Sequence, residues 1–155
     1  MGKITWTADL DTGIEPIDVQ HRQLIDLVNQ LEDARRAGDR EIMGSVIDGL
    51  IEYTLSHFTF EEALLEEAGY QFLRPHKKLH QLFINRVNEL NLRFRQGENV
   101  ADEIHVLLKR WLLGHIRRDD AAYVVAVKEK MIEITEEKNG SGWLARSLRR
   151  FFGRP

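Results

Sequence analysis

Five of the six histidines in this chain share a pattern with two carboxylates: His21, then His57-x-x-x-Glu61, then His76-x-x-x-His80, then His115 with Asp120 five residues on. Imidazole nitrogens with a few carboxylates and no thiolate suit a borderline transition metal such as iron, zinc or copper; a calcium or magnesium site would be built mostly from oxygen. Seven candidate ligands are too many for one ion and about right for two. Residues four apart on a helix are separated by about 40° around its axis, so His57 with Glu61, and His76 with His80, each project side by side. Asp120 fits less well. Five residues turn an ideal helix by about 140°, and Asp119, at four, is better aligned with His115. Spacing alone leaves the two aspartates as alternatives.

A histidine standing alone on an apolar stripe is more often a hydrogen-bonded core residue than a ligand. Five of them with Glu61 and Asp120 around one core would leave polar and charged groups desolvated at a cost of several kcal/mol each. Metal coordination removes that conflict.

The elements that carry these residues are legible from periodicity. Met1 to Glu15, with Gly13 and then Pro16, reads as an ordered arm. From Asp18, Ile17, His21, Leu24, Val28 and Leu31 share one helix face, which closes at Gly38. A second helix starts at Asp39 as N-cap, carries Met43, Val46, Leu50, Tyr53, His57, Glu61 and Leu64, and stops at Gly69. The third carries Phe72, His76, His80, Phe83, Val87, Leu90 and Phe94 to Gly97. It must begin between Gln71 and Arg74, so that Pro75 falls in the first turn, where no amide donor is needed. Val100, Ile104, Leu108, Trp111, His115 and Tyr123 mark a fourth, continuing towards Glu136 before Asn139-Gly140-Ser141-Gly142. Strand alternation and internal repeats are absent. The expected fold is all-α: an up-down-up-down antiparallel four-helix bundle with an N-terminal arm and a short C-terminal amphipathic helix. Residues 1–138 would form the bundle, and 139–155 a linker and basic tail.

Composition excludes several classes. The chain of 155 residues fits one domain, and 43% hydrophobic with 30% charged residues reads as globular. A net charge of -3 gives no global attraction for nucleic acid. Having no cysteine, it can form no disulfide, thiolate ligand or cysteine nucleophile. No signal peptide and no apolar run near the roughly 18 residues of a membrane span are present, so a cytoplasmic monomer is expected.

The set His, HxxxE, HxxxH and HxxxxD on four helices resembles the hemerythrin family, in particular its short bacterial single-domain members, over residues from about Trp6 to Tyr123. Flanking residues agree: Thr12-Gly13-Ile14, Ile17-Asp18-x-Gln20-His21, His57-Phe58-x-x-Glu61-Glu62, Gly69-Tyr70, and Trp111-Leu112-x-x-His115-Ile116. The resemblance implies two non-haem irons bridged by an oxo or hydroxo group and two carboxylates. His76, His80 and His115 would hold one iron, His21 and His57 the other, with Glu61 and Asp120 bridging. It thus selects Asp120 over Asp119, and implies a bend or π-type bulge in the fourth helix that turns Asp120 inward. Three histidines and three bridges saturate one iron; two histidines leave the other a free position, where dioxygen would bind with no protein acid or base required.

Reversible dioxygen binding for carriage, storage or delivery, with no catalysed reaction, is the function so implied. Enzymes that activate oxygen on related bundles use more carboxylates and Glu-x-x-His pairs. This chain has no Glu-x-x-His, which disfavours a di-iron enzyme handling peroxide or nitric oxide. A sensor or interaction module read by a partner is the alternative of another class. Leu112, one turn before His115, is expected to form a dry oxygen pocket with Leu24, Val28 and Phe60. His105 fits no ligand position and reads as a surface histidine, while Trp111, Phe72, Phe83 and Tyr53 read as core. At the C-terminus, Trp143, Leu144, Leu148, Phe151 and Phe152 alternate with Arg146, Arg149, Arg150 and Arg154. Residues 143–154 could dock on an anionic membrane surface or a protein, but so short a tail more simply folds back or frays.

Overall fold

Each apolar stripe becomes a helix, and each stop signal ends one. The structure is a computed structural model that describes residues 2–136, with side chains to residue 130. The arm holds one 3₁₀ turn, Ala8–Leu10. It is followed by α1 (Glu15–Ala37), α2 (Arg40–Glu67), α3 (Leu73–Arg95) and α4 (Ala101–Gly114). A π-helical segment, His115–Asp120, then continues directly into α5 (Ala121–Glu136). Four rods result, the last made of α4, the π segment and α5, and no strand occurs among the described residues.

The rods pack in sequence order around one core, α1 on α2, α2 on α3, α3 on α4, with α4 closing back on α1. The loops between them are short, so neighbours run antiparallel, as expected of an up-down-up-down bundle. The caps follow the chemistry of the ends. Asp39 accepts a hydrogen bond from the Ile42 amide at 3.0 Å, satisfying one of the unpaired donors of the first turn of α2. Gly38 takes a left-handed φ of 68° and sends its amide back to Ala34 and Arg35, a conformation that would strain any side chain with a Cβ.

Two boundaries differ from the periodic reading. α1 begins at Glu15 rather than Asp18, and Pro16 sits inside its first turn instead of in the arm. The cause is Asp18, whose carboxylate accepts from the Thr12 amide at 2.9 Å, the Thr12 hydroxyl at 2.7 Å and the Gly13 amide at 3.0 Å. That buried clamp ties the arm to the helix and lets it start three residues early. Phe72 is 54% exposed at the N-cap of α3 rather than in the core, because the stripe it belongs to has not yet entered the bundle.

The core divides around the histidines. A large cluster below them includes Leu24, Val28, Leu50, Phe58, Phe83, Leu108 and Leu112. A smaller one above includes Ile14, Ile17, Phe60, Leu65, Tyr123 and Val127. No described helix is long and apolar enough to cross a membrane. The linker and C-terminal amphipathic helix expected at 139–155 lie outside the described residues.

Candidate metal centre

All four rods send side chains to one buried point: His21 from α1, His57 and Glu61 from α2, His76 and His80 from α3, and His115 and Asp120 from the π segment, each at most 4% exposed. Two groups form. Ligand atoms of Glu61, His76, His80, His115 and Asp120 lie within 4.8 Å of one another, and so do those of His21, His57 and Glu61. The two carboxylates join them. Glu61 turns Oε1 to His76 Nε2 at 2.7 Å and His80 Nε2 at 3.1 Å, and Oε2 to His57 Nε2 at 3.4 Å. Asp120 faces His115 with Oδ1 at 3.1 Å and His21 with Oδ2 at 3.1 Å.

The π segment resolves the choice between the aspartates, because both are used. An α-helix would bring only the fourth residue after His115 back to its face; the wider π turn brings the fourth and fifth together. Asp120 reaches the centre, fully buried. Asp119 accepts from His115 Nδ1 at 2.8 Å, behind the ring.

The cluster gathers polar atoms that the protein itself does not satisfy. Both carboxylate oxygens of Asp120 and both ring nitrogens of His21 are buried without a hydrogen-bond partner, and His80 Nε2 faces His115 Nε2 at 2.9 Å, where at most one proton fits. Burial pushes His57 down. For Glu61, burial alone would raise the carboxyl, but hydrogen bonds from His57, His76 and His80 hold it well below the usual range. For His76, burial alone would lower the ring, yet Asp120 and Glu61 push it up to about 10. Five imidazoles and two carboxylates converge, with Asp120 and His21 left unsatisfied by the protein, and the donor set fits two borderline metal ions.

Packing around the cluster is aromatic and apolar. Phe58 stacks on His80 at 3.7 Å and Trp111 on His115 at 4.3 Å between ring centroids. Beside the stacked Phe58 and Trp111 lies a cavity of about 10 Å³ whose walls include Leu24, Val28, Thr54 and Leu112, a largely apolar lining that holds water poorly. Leu112, Leu24 and Val28 share this lining. Phe60 does not; it packs in the upper cluster with Ile14 and Tyr123, on the other side of the ligands.

Sequence reasoning passed over the groups behind the ligands. Gln20 Oε1 accepts from His57 Nδ1 at 2.6 Å, Glu62 lies 3.3 Å from His80 Nδ1, and Tyr123 donates to Glu61 Oε2 at 3.0 Å. Asp119 gave a signal in its fourfold spacing from His115, and Gln20 and Glu62 stood among the flanking family residues without a role assigned to them. His105 is a correction. It is fully buried, not at the surface, with Glu32 3.7 Å away and neither ring nitrogen hydrogen-bonded.

Such a centre defines a helical bundle whose core could hold metal. The model of the hemerythrin HHE cation-binding domain matches residues 12–127. A bacteriohemerythrin of Pseudomonas aeruginosa is 52% identical over 153 residues, 99% of this chain and all of that one, and one of Stenotrophomonas maltophilia is 48% identical over the same extent. A solved wild-type hemerythrin superposes with a TM-score of 0.76 at 31% identity, covering 80% of this chain and 97% of its own. The chain belongs to the hemerythrin family. Its class is that of oxygen-binding carriers rather than enzymes.

Proposed function

We propose that the chain binds dioxygen reversibly at two irons, one held by His76, His80 and His115, the other by His21 and His57, with Glu61 and Asp120 bridging. The observation that carries this is the division of five imidazoles into three and two around two shared carboxylates. Two irons joined by an oxo or hydroxo group supply the two electrons that bound dioxygen takes up and gives back. The protein's own residues do the rest. His21 and His57 leave one coordination position unfilled. Glu61 and Asp120 set the spacing of the pair. Leu112, Leu24 and Val28 line an apolar space shared with Phe58 and Trp111, the rings stacked on His80 and His115, and this packing would exclude the water that promotes irreversible oxidation.

No side chain is needed as acid or base. Tyr123 is buried, which pushes its phenol well above the usual range, and it already donates to Glu61. We infer a cytoplasmic monomer, with residues 1–138 as the functional unit and dioxygen as the ligand. The test is an optical spectrum of the iron-loaded, anaerobically reduced protein before oxygen, after oxygen and after degassing. A charge-transfer band that appears and then disappears is expected; a band that never forms, or that survives degassing, overturns the reading.

A further inference from the structure

The three ligand histidines with a side-chain partner behind Nδ1 are not treated alike. His80 has Glu62 at 3.3 Å and His115 has Asp119 at 2.8 Å, both carboxylates. His57 has Gln20 at 2.6 Å, a neutral amide, and His21 Nδ1 has no hydrogen-bond partner at all. The charged partners therefore stand behind the group of three histidines and the uncharged one behind the group of two.

The orientation of Gln20 follows from ligation. For His57 to offer Nε2 to a metal, its proton must sit on Nδ1, so the partner must accept, and the amide oxygen faces the ring. The amide Nε2 is then left buried without a partner. A glutamate is nearly the same shape and would accept the same proton with no orphaned donor. The amide is thus a poorer fit for hydrogen bonding than a carboxylate, and what it contributes is the absence of charge.

A carboxylate accepting from the back of an imidazole makes the ring a stronger donor, and a stronger donor stabilises ferric iron more than ferrous. Resting on the di-iron reading above, we propose that these positioning residues set the two metals apart. Glu62 and Asp119 favour the ferric state at the three-histidine iron, and Gln20 favours the ferrous state at the two-histidine iron. The iron with the free position is then the one more readily returned to its reduced form, which favours release of dioxygen over permanent oxidation.

The experiment is an anaerobic potentiometric titration of the iron-loaded full chain, in which each iron takes one electron from a mediator. Optical absorbance and the paramagnetism of the half-reduced pair follow the two steps. Gln20→Glu is expected to make the first reduction about tenfold less favourable, about 59 mV for one electron, and to bring the two steps together. Asp119→Asn and Glu62→Gln are expected to make the second reduction more favourable by a similar factor. Asp119 and Glu62 are partly exposed, so their variants serve even if Gln20→Glu fails to fold. A loss of packing alone would lower the melting temperature without moving the potentials. Unchanged midpoints in Gln20→Glu, or in the other two should it not fold, overturn the proposal. So does an Asp119→Asn shift confined to the first step. If the unaltered protein shows no reversible oxygen band, it is the carrier reading that fails.

Discussion

Single histidines serve this chain in two opposite ways. At the centre, imidazoles meet carboxylates and await cations. At the other end of the bundle His105 is equally buried, yet its ring nitrogens meet nothing in hydrogen-bonding geometry. It was misread because it lies about 80° around the helix from His115. A core-facing helix buries a stripe 100° or more wide, not a narrow seam, and Ile104, His105, Leu108 and Leu112 are all buried. Burial pushes the His105 ring below its ordinary 6.5. The neutral ring's contribution is therefore complete above pH 6.5 and is lost as pH falls through the lower folded value. Arg35, partly offset by burial, and Arg36 hold Glu32 at about 2 against an ordinary 4.5, so its contribution is full above pH 4.5 and is lost progressively as pH falls towards 2. His105→Leu should remove the first loss. It should also raise stability at pH 7 by roughly 1 kcal/mol, because two unsatisfied buried nitrogens disappear. Thermal unfolding of parent and variant at pH 7 and 5.5 reads both effects; a variant that melts lower at pH 7 would show that the ring is satisfied.

At the scale of elements, the π segment decides both the site and the packing beyond it. One residue more than an α-turn needs lies between His115 and Ala121. Deleting Arg118 should let an α-turn replace the π segment with α5 kept in register, because the missing residue and the lost bulge cancel. Asp120 then becomes the fourth residue after His115 and still faces the centre, Tyr123 and Val127 stay buried, and Asp119 loses its place behind the His115 ring. Iron per chain, measured on the purified variant after reconstitution, should match that of the parent. Loss of iron from the variant would mean that the π geometry itself, and not only the residue count, presents Asp120. Helices and the side chains that cluster were legible in the sequence because their spacing is a property of one stretch of chain: His57 with Glu61, His76 with His80. The bulge was reached only through the family pattern, since fivefold spacing argues against it. The pairings of Gln20 with His57 and Glu62 with His80 join different helices, 37 and 18 residues apart, and no local period records them.

At the scale of the whole molecule, the centre is complete well before the chain ends. The last side chain of the cluster is Asp120, and the family match closes at residue 127. A bacteriohemerythrin of Methylococcus capsulatus aligns over 125 residues, covering 95% of its own length but only 79% of this chain. Nearly a whole relative thus fits within four-fifths of this sequence. A chain cut after Asn139 should keep the reversible oxygen band and melt within a few degrees of the parent. The four arginines it loses, Arg146, Arg149, Arg150 and Arg154, take the net charge from -3 to -7, with no acidic residue removed. Even the full chain is therefore negative, and its overall field opposes an anionic membrane. Against that stand five large apolar residues and a local cluster of cations, where stable attachment generally needs more than one strong signal. Co-sedimentation with phosphatidylserine vesicles should be equally weak for the two lengths. Full-length protein pelleting at low salt while the shortened form stays in solution would reverse this, and would make residues 143–154 a device that brings an oxygen-binding bundle to a membrane surface.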